Sequence, residues 1–160
     1  MAHRLSGIIT SFKYTGELPY VVLVGNYYFI PIEKRRSPNY SEEEIAPYSE
    51  LTSEAKKTLK ELSFQGACCY IETDYFGGDG AQYAETWQDG NRIAGPMASC
   101  DGLSQIPEKK EAILVEDAIN DNLKLIGIYR HEGMDEFDSV RLGWYRSNDE
   151  VIREYKGKKS

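Results

Sequence analysis

The sequence predicts an α+β domain in which two main helices pack against a largely antiparallel sheet. Short runs of β-branched and aromatic residues recur along the chain, and several are separated by two-residue turn signals. Two other stretches repeat apolar residues at helical spacing. The 160 residues include 41% hydrophobic residues and show neither an internal repeat nor a shift in composition. We therefore expect one globular domain spanning residues 1–160.

The first half of the chain begins with a predicted strand and a hairpin. Residues 6–14 have a strand-like pattern, and the β-rich runs 20–24 and 27–30 flank a Gly-Asn pair at 25–26. Glycine and asparagine both tolerate the positive φ angles of a primed hairpin turn. A polar connection follows, and capping-box spacing then predicts a short helix within residues 41–47.

The first main helix begins after Thr52, whose hydroxyl can accept from a free backbone N–H at the helix start. Apolar residues then recur at i, i+4 and i+7, in the order Ala55, Leu59 and Leu62. This spacing places them on one face, which we expect to pack against the sheet. Gly66 should end the helix.

The centre of the chain predicts a β meander. The runs 67–75 and 81–87 have the composition of strands, and an Asp-Gly pair at 89–90 predicts a hairpin into residues 91–94. The Gly95-Pro96 pair is expected to end the pattern, so that a loop continues as far as Pro107.

The second main helix is predicted from Glu108 to Ile126, where apolar residues again follow the helical period. Gly127 should end it. Residues from Met134 onward predict irregular structure, and we expect the lysine-rich end 156–160 to fray.

The net charge of the chain indicates which classes of binding partner to expect. The chain has 19 basic and 26 acidic residues, a net charge of −7. This is the wrong sign for binding a phosphate backbone, so we expect no direct contact with nucleic acid. A clustered acidic surface would instead attract a basic partner, although an acidic surface can also be merely solvated.

Apolar segments and cysteines indicate where in the cell the protein is expected. We expect no membrane association, since no apolar run approaches the length of a bilayer, and no apolar signal-peptide core follows Met1. Cysteines are odd in number, and Cys68 and Cys69 are adjacent, so they point to opposite faces of a strand. A reducing cytoplasm is the expected location.

Three glycines, Gly77, Gly78 and Gly80, lie between two predicted strands. A phosphate loop would need a following helix and a lysine, and neither follows. We interpret the segment as a turn with positive φ angles, in which the Gln82 amide satisfies exposed backbone groups. No cofactor is expected.

If the two central strands align, three carboxylates share one sheet face: Glu72 and Asp74 alternate on the first strand, and Glu85 lies on the second. Three interpretations stay open. The face is a solvated surface, a surface for a basic partner, or a pair of carboxylates for general acid-base catalysis.

A second acidic group follows His131. A metal site of His131 with Asp135 and Asp138 is disfavoured, because no paired histidine or cysteine ligand accompanies it. No serine or cysteine lies in a nucleophile signature. The residues that we expect to contact a partner are Glu72, Asp74, Asp79, Glu85, Glu132, Asp135, Glu136 and Asp138.

Several segments carry a resemblance to a known group. They are residues 75–82, Trp87-Gln88-Asp89-Gly90, Ile119-Asn120, and residues 135–138 together with Leu142 and Arg146. The chain resembles small bacterial proteins with an F-G-G-x-G-x-Q signature, some of which resemble immunity proteins against polymorphic or contact-delivered toxins. The resemblance implies a protein that neutralises a cognate toxin, and it implies no catalytic residues. The acidic charge adds the expectation that the toxin surface it occludes is basic, as in a nuclease domain. The alternatives are a small-molecule enzyme and an adaptor that offers a strand edge.

Overall fold

The computed structural model describes residues 3–34, 45, 47–76, 79–101 and 112–159. Within these residues, seven strands form one sheet in the order β2-β3-β1-β4-β5-β6-β7. The strands are β1 (Ser6–Thr10), β2 (Val21–Val22), β3 (Tyr28–Pro31), β4 (Cys68–Phe76), β5 (Asp79–Gln88), β6 (Asn91–Asp101) and β7 (Ile113–Leu114). All neighbours are antiparallel except β6 and β7, which are parallel. The predicted α+β class with a largely antiparallel sheet is confirmed.

Helices cover both faces of this sheet. They are α1 (Ser53–Leu62), α2 (Ala118–Leu125), α3 (Glu136–Ser139) and α4 (Asn148–Lys159), with a 3₁₀ helix at Leu142–Trp144. One core packs α1 against the sheet through side chains such as Leu59 and Tyr70. The other core contains Leu123 of α2 and Val151 of α4. No helix in the described part of the chain is long and apolar enough to cross a membrane.

Both predicted hairpin turns are confirmed by their backbone angles. Gly25 and Asn26 have φ angles of 84° and 64°, and Asp89 and Gly90 have 53° and 79°. Positive values at both central positions are typical of primed turns, whose twist matches that of the flanking strands. The Thr52 cap is also present, since its side chain accepts from the Ala55 N–H.

The expected break at Gly95-Pro96 is wrong, because β6 continues to Asp101. The ladder between β5 and β6 pairs Ala84 with Met97 and Thr86 with Ala94, which leaves Gly95 and Pro96 in a bulge. At a bulge the missing N–H of proline removes no ladder hydrogen bond. The strand therefore resumes beyond the proline.

The second main helix is shorter than predicted. Residues 102–111 lie outside the described residues, and Ile113–Leu114 form an edge strand beside β6, so α2 begins only at Ala118. Two adjacent apolar residues fit a strand and a helix equally well, which explains the error. Gly127 ends α2 as predicted, with a φ angle of 92°.

The irregular structure expected after Met134 is wrong as well, since α3, the 3₁₀ helix and α4 lie there. Asn148 anchors the start of α4: its side chain accepts from the Ser6 N–H and donates to the Ser6 carbonyl. α4 extends to Lys159. Fraying from Lys156 is not tested by this and stays a prediction. The short helix predicted within residues 41–47 lies outside the described residues, apart from positions 45 and 47.

Candidate functional site

The two central strands bring the predicted carboxylates to one face. Glu85 pairs with Tyr70, and Glu72 pairs with Tyr83, so their side chains point the same way. The expectation that this face is exposed is nevertheless wrong for two of the three acids. Glu72 is 6% exposed and Glu85 is 2% exposed, and Asp74 alone of the three is exposed.

Glu72 binds a loop rather than a partner. Its two carboxylate oxygens accept hydrogen bonds of 2.9 Å from the backbone N–H groups of Ser49 and Glu50. The Tyr70 hydroxyl donates a third, of 2.6 Å. Burial raises the pKa of Glu72, and these hydrogen bonds oppose the rise. Although Glu72 borders a cleft of about 240 Å³, both of its oxygens are already engaged.

Glu85 is enclosed by aromatic side chains. It accepts a short hydrogen bond from the Trp87 indole and lies 3.8 Å from the Arg92 guanidinium. Tyr48 is fully buried beside it, and no described atom lies in hydrogen-bonding geometry with its hydroxyl. Burial first, and the Glu85 charge second, raise the pKa of Tyr48 well above its usual value. Glu72 and Glu85 are therefore both buried and already engaged by groups of the fold itself.

Gln82, the last residue of the signature, caps a helix. Its side-chain carbonyl accepts a hydrogen bond of 2.8 Å from the Ile119 N–H at the start of α2, and its amide donates to the Tyr75 hydroxyl. Ser99 accepts from the neighbouring Ala118 N–H. The predicted contact of Gln82 with the glycine turn stays a prediction, because two of the three glycines, Gly77 and Gly78, lie outside the described residues.

Gly80 has a steric role instead of the expected positive φ angle. It lies in extended β5, and a Cβ added there would lie 2.6 Å from the Cα of Tyr75. Only a residue without a side chain permits this approach of the two strands. Gly77 and Gly78 lie outside the described residues.

Beside Gln82, a cleft of about 430 Å³ brings together residues from three of the resembling segments. We call it the signature cleft. It is lined by His3, Thr73, Tyr75, Gln82, Asp117, Ile119, Asn120, Asp135, Phe137, Asp138 and Gly143. No feature of the sequence placed these residues next to one another.

Asn120 joins the two helices that border the signature cleft. Its side-chain carbonyl accepts from the Phe137 N–H at 2.9 Å, and its amide donates to Asp135 at 3.3 Å. Asp135 in turn caps α3 by accepting from the Asp138 N–H at 2.8 Å. The carboxylate of Asp135 is therefore held in place before any ligand binds.

The lining of the signature cleft is negatively charged. It contains the carboxylates of Asp117, Asp135 and Asp138, and no lysine or arginine is among these described lining residues. Burial, and then the charge of Asp135, raise the pKa of Asp138. Burial lowers the pKa of His3, so its imidazole adds little positive charge at neutral pH.

Sequence reasoning missed His3, because its position near the chain start suggested mobility. A β-bridge pairs His3 with Tyr75 through two backbone hydrogen bonds of 2.9 Å. Its Nδ1 lies 2.8 Å from the Thr73 hydroxyl. The strand-like residues that follow His3 were the available signal, since they could have extended the pairing backwards.

The other predicted contact residues have different surroundings. Glu136 is buried, and its Oε1 lies 3.9 Å from Lys124 Nζ and 4.0 Å from Arg130 Nε, so it anchors α3 instead of meeting a partner. Glu132 is exposed in the adjoining loop, and the Asp79 side chain is outside the described part. Within the described residues, no three side chains of the metal-binding types are grouped to hold an ion.

Cys68 and Cys69 are buried, and none of the three cysteines forms a disulfide. Burial raises the pKa of Cys68 to about 12 and that of Cys69 well above its usual value. A thiol needs to ionise to act as a nucleophile, so these two are packing residues.

Comparison of the chain with family models, with curated proteins and with solved structures gave no match. A functional conclusion therefore depends on the chemistry of the site. The feature that combines accessibility, fixed geometry and one sign of charge is the signature cleft.

Proposed function

We propose that the protein is a cytoplasmic immunity protein that binds a cognate basic toxin, such as a nuclease domain, and covers its active-site surface. The observation that carries the proposal is the signature cleft, where Asp117, Asp135 and Asp138 lie and no lysine or arginine is among the described lining residues. A groove that binds phosphate presents lysine and arginine, so the two surfaces are complementary. The net charge of −7 adds attraction at longer range.

The fixed geometry of the cleft supports binding. Asp135 is held by Asn120 and by the first turn of α3, so little side-chain freedom is lost when a partner arrives. Preorganisation of this kind favours affinity for a folded protein surface. Asp117 makes no capping hydrogen bond within α2 and is exposed, which leaves its carboxylate available.

The enzyme alternative receives less support from the same geometry. The buried carboxylates Glu72 and Glu85 are already hydrogen-bonded or paired, so they offer no accessible acid-base pair. Thr73 lies beside His3, but the hydroxyl is buried and accepts from the Leu5 N–H. A nucleophile needs free access to a substrate, whereas Thr73, although it lines the signature cleft, is only 5% exposed and its hydroxyl is already hydrogen-bonded.

The decisive test uses the product of the gene directly upstream of this one, which the proposal requires to carry a toxin domain. We expect coexpression of the protein to rescue growth, and the purified domains to bind. An Asp117→Asn/Asp138→Asn double variant should associate about tenfold more slowly at low salt and show a weaker salt dependence. Glu61→Gln/Asp89→Asn is the matched control, since it removes the same charge from exposed positions on α1 and the β5–β6 turn.

Two results would contradict the proposal. Failure of the neighbouring gene product to bind would remove the immunity function. Equal association rates for the two double variants would show that overall charge, rather than the signature cleft, attracts the toxin.

A further inference from the structure

Gly143 packs against the carboxylate of Asp138, and both residues line the signature cleft. A Cβ added at Gly143 would overlap Asp138 Oδ1. Non-bonded carbon and oxygen atoms stay about 3.3 Å apart or more, so the carboxylate occupies the space that a side chain at position 143 would need.

Neither the backbone nor the core requires a glycine at this position. Gly143 lies in the 3₁₀ helix with a φ angle outside the left-handed region, so alanine can adopt the same conformation. It is also exposed, so no core packing excludes a methyl group. Outside Asp138 and the chain neighbours, the nearest described atom to the added Cβ is Phe137 Cε1, at an ordinary 3.8 Å. The space that this glycine leaves is therefore filled by one carboxylate.

The backbone places Gly143 independently of the Asp138 side chain. The Arg141 N–H donates to the Asp138 carbonyl at 3.0 Å, and the φ angle of 79° at Arg141 turns the chain at the end of α3. The Trp144 N–H then donates to the Arg141 carbonyl at 3.1 Å. These bonds fix the 3₁₀ helix, whereas the exposed carboxylate of Asp138 is free to rotate. A side chain at position 143 should therefore displace the carboxylate and not the helix.

We propose that Gly143 is a positioning residue of the signature cleft, which leaves room for the Asp138 carboxylate so that it pairs with a basic group of the toxin. The inference rests on the proposed function, since the partner is the basic toxin. Hydrogen bonds to Asn120 and to the start of α3 fix Asp135. The surface left open at Gly143 places the second carboxylate, that of Asp138.

Position and charge contribute differently to binding. Gly143→Ala leaves the net charge of −7 unchanged, so the long-range attraction that speeds association stays the same. A displaced carboxylate loses its close pairing with the basic group, and this loss raises the dissociation rate. The variant therefore separates the geometry of the cleft from its overall charge.

The geometric step is tested without the toxin. A crystal structure of full-length Gly143→Ala should show the Asp138 carboxylate moved by about 1 Å or more, with the 3₁₀ helix in its original place. The urea midpoint should stay at the wild-type value, since the changed groups are exposed. An unmoved carboxylate would overturn the proposal. A large fall of the midpoint would also overturn it, because the glycine would then serve folding.

The binding step is measured with the toxin. Gly143→Ala should raise the dissociation rate about tenfold and leave the association rate within about twofold of the wild type. Gly157→Ala is the matched control, because it makes the same substitution in α4, where the added Cβ meets no atom within 4 Å outside the helix backbone. In an Asp138→Ala background, Gly143→Ala should have no further effect, since the carboxylate that it displaces is gone.

Three results of the binding measurement count against the positioning role. A wild-type dissociation rate for Gly143→Ala, or an equal rise for Gly157→Ala, would overturn it and leave the immunity function intact. A full effect of Gly143→Ala in the Asp138→Ala background would overturn it too, because the methyl group itself would then obstruct the toxin. If the toxin does not bind the wild type, the immunity function fails, and the crystal structure alone decides whether Gly143 positions Asp138.

Discussion

The side-chain carbonyl of Gln82 accepts a 2.8 Å hydrogen bond from the backbone N–H of Ile119. A strand residue therefore caps α2, the helix that supplies Asn120 to the signature cleft. The first N–H groups of a helix lack partners within the helix, so a side chain that reaches them from outside determines where the helix starts.

Gln82→Ala should lower the free energy of unfolding by about 1–2 kcal/mol, because the Ile119 N–H and the Tyr75 hydroxyl both lose a partner. Gln82→Glu should lose less, since a carboxylate still accepts at the positive end of the helix. Urea unfolding of the three proteins measures the difference. Equal midpoints for the wild type and Gln82→Ala would show that water replaces the cap.

Gly80→Ala should destabilise the fold by about 1–3 kcal/mol, because the added Cβ would overlap the Tyr75 backbone. Gly157→Ala is the opposite case. Gly157 lies in α4, where an added Cβ meets no atom within 4 Å outside the helix backbone, so alanine should add about 0.5 kcal/mol. Urea midpoints should therefore move in opposite directions, and a neutral Gly80→Ala would mean that β4 and β5 can separate.

Local patterns predicted the strands and turns well. The period of two placed Glu72 and Glu85 on one face, and the turn pairs marked both hairpins, because these features depend on neighbouring residues alone. Burial of that face was not predictable in the same way. The loop that covers Glu72 comes from Ser49 and Glu50, a segment without strand or helix periodicity.

The signature cleft shows the same limit. Its residues come from the chain start, from β4 and β5, and from α2 and α3, and only the folded chain brings them together. Single segments such as 135–138 could be recognised as acidic. The partnership of Asn120 with Asp135, and of His3 with Thr73, depends on contacts between distant segments.

Stability should fall on mild acidification because of His3. Burial lowers its pKa below the usual value of 6.5, while the charges of Asp138 and Glu150 and the Tyr145 carbonyl oppose the shift. The unfolded chain therefore takes up a proton at a higher pH than the folded chain does. The stability that neutral His3 contributes is fully present above pH 6.5. It is lost as the pH falls from 6.5 through the pKa of His3 in the folded protein.

His3→Gln tests this contribution, since glutamine keeps polar atoms but does not titrate. Urea unfolding at pH 7.5 and pH 5.5 should show a larger loss for the wild type than for His3→Gln. A loss of the same size in both proteins would assign the acid sensitivity to other groups.

Native thiol reactivity should distinguish the cysteines. Cys68 and Cys69 are buried with raised pKa values, so Ellman's reagent should modify them only at the rate of unfolding. Cys100 is partly exposed and should react first. Three equivalents should react in denaturant. Fast modification of more than one thiol in the native protein would show that the sheet opens locally.

Glu72 and Asp74 lie on the same face of β4, yet their neutralisation should have different effects. Glu72→Gln places an amide N–H against a backbone N–H of Ser49 or Glu50, so a buried donor loses its acceptor. We expect a loss of about 1–3 kcal/mol. Asp74→Asn changes an exposed side chain and should alter stability by less than about 0.5 kcal/mol.

The pH dependence gives this comparison a second readout. Burial raises the pKa of Glu72 above its usual 4.5, so the folded protein keeps a proton that the unfolded chain has released. Its contribution to stability therefore declines as the pH rises from 4.5 through the folded pKa, opposite in sign to that of His3. Glu72→Gln should remove this decline, and Asp74→Asn should retain it. If both variants unfold at the wild-type urea midpoint with the wild-type pH profile, the Glu72 carboxylate does not hold the loop.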